Sequence, residues 1–185
     1  MSYSFRTART VEDFEAVRRL NHDVFALEIG QHPAAADGRL IDAFEPASSF
    51  VLALHGRRVV GMVSWHRTPP WSVGKKLADP AVVDALPAPL CEARLLAVLP
   101  EHRGKPVLVG LLATLFDAVA AAQARTVLIS AYEERLDMYR AMGFEPLGPA
   151  VAAGAARFIP MALVLDRMPA FARRALARYA SRAGS

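Results

Sequence analysis

The stretch from Cys91 to Leu112, CEARLLAVLPEHRGKPVLVGLL, constrains this chain more than any other. A short apolar run meets a basic turn, and a long apolar segment follows at once, so the pattern predicts strand, turn, helix. In the second half Val107, Leu108, Leu111, Leu112, Leu115, Phe116 and Val119 repeat at three and four, the spacing of one helix face, and the helix is expected to end near Ala124. A turn that aims backbone N–H groups out of a helix N-terminus is a ready anion site, because the donors are unpaired and the helix dipole favours negative charge there. That points to a phosphate-bearing cosubstrate.

Bulk properties narrow the class. A chain of 185 residues with 54% apolar and 22% charged residues fits one globular domain with a substantial core. Its longest apolar candidate, Val107 to Val119, falls short of the roughly 20 residues of a membrane-spanning helix, and MSYSFRTART lacks the apolar segment of a secretory signal. With Cys91 the single cysteine, no internal disulfide can form, and a reducing cytoplasm is the expected compartment. Charge is uneven: residues 1–166 carry 17 Lys and Arg against 18 Asp and Glu, whereas residues 167–185 carry five Arg and no acid. We therefore expect a domain over 1–166 and a basic C-terminal helix or tail over 167–185. Arg174, Arg178 and Arg182 share one stripe of that helix, above a Phe171, Ala175 and Tyr179 stripe expected to pack on the body. The arginines form either a solvated face or a contact for a polyanion such as a carrier protein or tRNA.

The remaining elements follow from periodicity. Phe5 to Arg9 reads as a first strand and Val11 to Phe25 as a helix, with Thr10 as cap and Asp13 completing a capping box. Residues 29–49 form a loop able to shape a substrate entrance. Phe50 to Leu54 and Val59 to His66 make a hairpin, and the prolines between Arg67 and Pro89 interrupt regular structure except for a helical turn or two over Ala81 to Leu86. After the strand Cys91 to Val98 and its helix come a strand over Thr126 to Ala131, a short helix over Glu133 to Met142 closed by Gly143, an edge strand from Phe144, and a last strand over Phe158 to Leu165. Strand, turn, helix, strand is the order of an α/β sheet whose central crossover faces a ligand.

At this point two motifs combine. Val98-Leu-Pro-Glu-His-Arg-Gly-Lys, with Tyr139-Arg-Ala-Met-Gly-Phe downstream, resembles the GNAT superfamily of N-acyltransferases, whose usual form is V-x-P-E-Y-R-G-K-G-x-G and later Y-x-x-x-G-F. The resemblance covers about residues 5–165 and implies a GNAT fold, a mixed and mostly antiparallel central sheet flanked by helices. Within that superfamily, Val24-Phe25 and Glu28, followed by Gly38-Arg-Leu-Ile-Asp42-Ala-Phe44-Glu45, look like the R-x-x-V-F…E-L and G-x-E-x-D-x-F-D pattern of acyl-homoserine-lactone synthases and related N-acyl amino acid synthases. Asp42 and Phe44 agree with it, whereas Leu40 and Glu45 depart. Arg94 stands one residue before the arginine of the lactone synthases, on the opposite strand face.

The resemblance implies an amide-forming reaction between an activated acyl donor and a small-molecule amine. Leu96, Ala97 and Val98 are expected to pair with the donor's pantetheine arm as an added strand, and Arg103, Gly104, Lys105, Val107 and Leu108 to meet its phosphate. Pro106 removes one N–H from that cradle and Leu108 adds bulk. Two readings of this departure stay open: coenzyme A held with one donor missing, or a donor without the pyrophosphate, namely acyl-phosphopantetheine on acyl carrier protein or an aminoacyl-tRNA. A non-catalytic module of the same fold is the remaining alternative. Tyr139 occupies the position of the superfamily's general acid. Glu92, a carboxylate in an apolar strand, is the candidate base with an expected raised pKa, or else an ion-pair partner of Arg94. Trp65, His66, Arg94 and Ser130 are candidates for holding the acceptor. His22, His32, His55, His66 and His102 show no paired metal-ligand spacing, so no metal is expected.

Overall fold

The computed structural model describes residues 2–104 and 106–183, with Ala180 to Ala183 followed as backbone. Lys105 and the side chain of Arg182 thus lie outside the described residues. The elements are β1 (Tyr3–Thr7), α1 (Val11–Asn21), β2 (Ser49–His55), β3 (Arg58–His66), β4 (Leu90–Val98), α2 (Val107–Ala121), β5 (Thr126–Tyr132), α3 (Leu136–Ala141), β6 (Glu145–Pro146), β7 (Val151–Ala153), β8 (Ala156–Val164) and α4 (Ala170–Ala183). They build an eight-stranded sheet in the order β1-β2-β3-β4-β5-β8-β6, with β7 paired to β8. Every strand pair is antiparallel except β4 with β5. This is the mixed, mostly antiparallel α/β sheet that the motifs imply.

Alternation along the strands divides the core between two faces. Val51 and Ala53 of β2, with Val63, Cys91 and Ala93, face α2 and α4. Phe50, Leu52 and Leu54 face Val17, Leu20, Val24 and Phe25 on the other side. α2 lies close over β1 because position 110 is glycine: a Cβ there would stand 2.2 Å from the ring of Phe5. The start of α1 forms as its cap signals require. Asp13 N–H donates to Thr10 Oγ1 at 3.2 Å, while Asp13 accepts from Thr10 N–H and from both outer nitrogens of Arg6 at 2.6 and 2.7 Å.

Three local departures matter for the site. The α-helical pattern expected to reach Phe25 stops at Asn21, and His22–Glu28 continues as a π-helix. The extra residue per turn turns Val24 and Phe25 into the core and leaves Glu28 at its edge. Within the proline-rich insertion, Ser72–Lys76 forms a 3-10 turn that the prolines concealed. The edge strand expected from Phe144 is only the two-residue β6, while the last strand, expected over Phe158 to Leu165, forms as β8 and pairs with an additional short strand, β7. Gly143 has φ +94°, as a helix C-cap requires.

Candidate functional site

β4 and β5 stay in register only over Leu90–Glu92 and Thr126–Leu128, and beyond these three pairs the two strands part. Two features keep the gap open. β4 carries a bulge against β3, where Met62 faces Ala97 but Ser64 faces Arg94, and Leu95 within it has φ +53°. Across the gap, Ser130 is paired with Pro160 of β8. The carbonyl of Pro160 accepts from Leu147 N–H at 2.8 Å, so its missing donor faces the short outer strand. By the alternation of antiparallel ladders, the N–H and C=O of Ser130 then point the other way, into the gap.

A cleft of about 480 Å³ occupies this gap, lined along one side by Leu96, Ala97, Val98, Arg103, Gly104 and Leu108. A smaller, mostly apolar chamber of about 50 Å³ adjoins it, walled by Val63, Leu112, Leu115, Phe116, Ile129 and Phe144, with Arg94 also lining it. Leu95, Leu96, Ser130 and Tyr139 line both. Two hydroxyls therefore stand at the junction between a mixed cleft and a mostly apolar chamber. Ser130 Oγ is buried without a hydrogen-bond partner among the described residues. Burial pushes the Tyr139 phenol up to about 12, with Arg135 acting against it, so the phenol stays protonated at neutral pH and is available as a donor.

The basic turn differs from a simple phosphate cradle. Gly104 has φ +71° with open space where a Cβ would stand, and α2 begins at Val107 directly after Pro106. The Val107 side chain is buried in the core, so only its backbone can serve the turn. The Arg103 guanidinium is already engaged: it donates to Val98 O at 2.9 Å and grips Glu28 through two bonds of 2.6 and 2.7 Å. Sequence spacing gave no sign of this bridge, because the π-helix is what brings Glu28 to the cleft.

The opposite face of β4 corrects several expectations. Glu92 is fully buried and accepts four hydrogen bonds, from Ser72 N–H, Ser72 Oγ and Val73 N–H at 2.7 Å each and from His66 Nε2 at 3.0 Å. Burial alone would raise its pKa, yet the donors from His66, Ser72 and Val73 outweigh it and the pKa is lowered. The carboxylate lines neither cavity. Nor does it pair with Arg94, which donates instead to Asp42 at 2.5 Å and lies over the Phe44 ring at 4.2 Å. Phe44 stacks on His66 and His66 on Trp71, so the loop carrying Asp42 and Phe44 is fastened to the strands by a continuous stack. Trp65, next to His66 on β3, faces the α2 side and packs in the core there, so it does not share an acceptor site with His66.

Helix α4 also packs differently from its expected stripe. Ala172 is buried, Leu176 is half-buried against the core, and Tyr179 meets the Phe5 ring edge-on at 5.5 Å, while Phe171 is 57% exposed and Ala175 exposed. Arg173 points back to the carbonyls of Leu165, Asp166 and Met168. Among the described residues no group of three His, Cys, Asp or Glu could hold a metal, and no helix is long and apolar enough to cross a membrane.

The arrangement has relatives. No protein of curated function matches the chain by sequence. Among solved structures, the CoA-dependent acyl-homoserine lactone synthase BjaI, with SAM and isopentyl-CoA, superposes with a TM-score of 0.74 at 22% identity, covering 99% of this chain and 90% of that one. FeeM, an N-acyl amino acid synthase from uncultured soil microbes, gives 0.73 at 15% identity, covering 94% and 98%. An N-acetyltransferase from Staphylococcus aureus Mu50 gives 0.63 at 18% identity, covering 89% and 99%. These likenesses show the GNAT-like fold. The profile of FeeM, N-acyl amino acid synthase, matches residues 16–164, and the chain therefore belongs to the FeeM family of N-acyltransferases.

Proposed function

We propose that this acyltransferase moves an acyl group from a pantetheine thioester to the amine of an amino acid. The observation that carries the reading is the junction at Leu95, Leu96, Ser130 and Tyr139, where a cleft of about 480 Å³, taken here as the path of a pantetheine arm, meets a mostly apolar chamber suited to an acyl tail. A thioester laid along this path has its carbonyl and sulfur beside the two hydroxyls. The amino acid acceptor is carried over from the family, whose description names N-acyl amino acid synthases.

In the reaction the neutral amine attacks the thioester carbonyl, a C–N bond forms and the C–S bond breaks. The proton that nitrogen sheds equals the one that sulfur gains, so the products are an amide and a free thiol. Tyr139 donates a hydrogen bond to the leaving sulfur and relays that proton. Its raised pKa decides how: transfer to a free thiolate, whose conjugate acid lies near ~8.5, would run uphill, so the phenol acts in concert with loss of the nitrogen proton. The backbone of Leu96 to Val98 holds the arm, and Gly104, Leu108 and the Arg103 side chain meet the phosphate end. Glu92 takes a positioning role, since its oxygens are occupied by the donors that fasten residues 66–73 to β4.

The test offers hexanoyl-CoA and hexanoyl acyl carrier protein, each with a panel of amino acids, and follows amide by mass spectrometry. We expect amide and stoichiometric thiol with at least one carrier; absence of product with both overturns the reading. Tyr139→Phe should lower kcat by about 10- to 100-fold with donor affinity held within about two-fold, the lower range for an acid that shares its proton. An unchanged kcat would remove Tyr139 from the proton path.

A further inference from the structure

α2 returns the chain from the end of β4 to the start of β5, and one stripe of it runs along both cavities. Leu108 lines the cleft but not the chamber, whereas Leu112 and Phe116 line the chamber but not the cleft. The three stand at i, i+4 and i+8 of one helix, so each step along them moves about 6 Å away from the donor turn. Phe116 therefore faces the end of the chamber farthest from the cleft. The strands close at that end too. Val127 lines the chamber and lies within the short stretch where β4 and β5 are still paired, so no opening between the strands continues past it.

The walls leave little room to widen. Leu112, Leu115, Val127, Ile129 and Phe144 are buried in the main core, whose close packing resists displacement. Arg94, the charged member of the wall, is held by Asp42 and by the Phe44 ring. Gly143, next to Met142, is already tight against the lead-in to α4: a Cβ there would stand 2.7 Å from Pro169. Phe116 and Met142 are both half-buried and line the chamber. Met142 is a flexible thioether that can bend aside, whereas the Phe116 ring has a fixed shape.

The chamber's volume sets a scale. It offers about 50 Å³, and one water takes about 10–15 Å³ in the same measure. A methylene is close to water in size, so about three to five chain carbons fit beyond the thioester carbonyl. The larger cleft does not take the surplus, because the pantetheine arm and the acceptor share it. Resting on the acyl-transfer reading above, we propose that Phe116 closes the acyl chamber and sets chain length, so that the enzyme takes donors of about four to six carbons and rejects longer ones. Each further methylene has to displace packed side chains or turn back toward water, and so forfeits the burial that drives binding.

The test offers butanoyl, hexanoyl, octanoyl and dodecanoyl thioesters on whichever carrier the wild type accepts, with the amino acid that yields most amide, and compares kcat/KM. The wild type should lose about 10- to 100-fold between hexanoyl and octanoyl, the range of a methylene or two that a pocket cannot house. Phe116→Ala should raise kcat/KM for octanoyl and dodecanoyl by about 10-fold or more, with butanoyl held within about five-fold. Phe116→Leu, a milder truncation, should move the profile the same way by less. A gain on long donors cannot come from a damaged fold, and butanoyl turnover reports that each variant is intact. A wild type that uses dodecanoyl as well as hexanoyl would overturn the length limit, and a profile unchanged in both variants would remove Phe116 as its cause; either leaves acyl transfer standing. No amide from the wild type with any donor would overturn both readings.

Discussion

The Glu92–His66 pair and the Glu28–Arg103 pair both tie β4 or its turn to another element, yet water reaches only the second. Both side chains of the first are 0% exposed, and Glu92 is saturated by four donors. In the second, Arg103 is 34% and Glu28 40% exposed, and the bond spans the mouth of the cleft. A buried carboxylate held this way cannot change partners without leaving charges stranded, so it fixes geometry. A pair that water reaches is screened and can exchange partners without stranding a charge, so an incoming phosphate can displace its carboxylate. One pair is scaffold; the other is exchangeable.

The largest break in this comparison should come from Glu92→Ala. It strands His66 and the Ser72 and Val73 donors in the interior, and we expect a stability loss of about 3–5 kcal/mol by urea denaturation. A loss under about 1 kcal/mol would show the network to be slack. The second effect is acid sensitivity. A carboxylate whose folded pKa lies below its unfolded value contributes stability that is present above the ordinary glutamate range and fades as pH falls toward the folded value. Glu92 has that sign. So does Asp13, which Arg6 foremost holds far below the usual carboxylate range. Urea midpoints should therefore fall steeply from pH 5 toward pH 3, and Glu92→Gln should flatten that slope while Asp13 preserves the remainder. An unchanged slope would deny Glu92 its share. The smallest effect belongs to the exposed pair. Glu28→Gln frees Arg103 for phosphate and should tighten donor binding by about 2- to 5-fold at low salt, a gain that fades as salt rises. Weaker binding would mean that Glu28 supports the donor instead of competing with it.

What the sequence disclosed, and what it hid, divides along similar lines. Features written in local spacing were legible: the Thr10–Asp13 box, the apolar face of α2, the Gly143 cap, the motifs around Val98 and Tyr139. The roles of Glu92 and Arg94 were not, because each takes its partner from a segment far along the chain. Asp42 sits in a loop and Ser72 in a proline-rich insertion, and neither leaves a periodic signal. Expecting a raised pKa for Glu92 counted burial but not the four donors folded around it. The Phe171 stripe of α4 erred by about one helical position, enough to exchange its buried and exposed residues.

The π-helix from His22 to Glu28 carries a lesson about lineage and engineering. A π-turn is what an α-helix becomes when one residue is inserted and the flanking contacts refuse to shift. Removing a single exposed residue there, such as Asp23, would let the helix rewind as an ordinary α-helix and turn everything after it by about 100°. Glu28 would then swing off the cleft and the Arg103 bridge would lose its anchor. The grip on the donor turn therefore depends on one surplus residue in a neighbouring helix, a place where a length change would alter chemistry without touching any residue of the cleft itself.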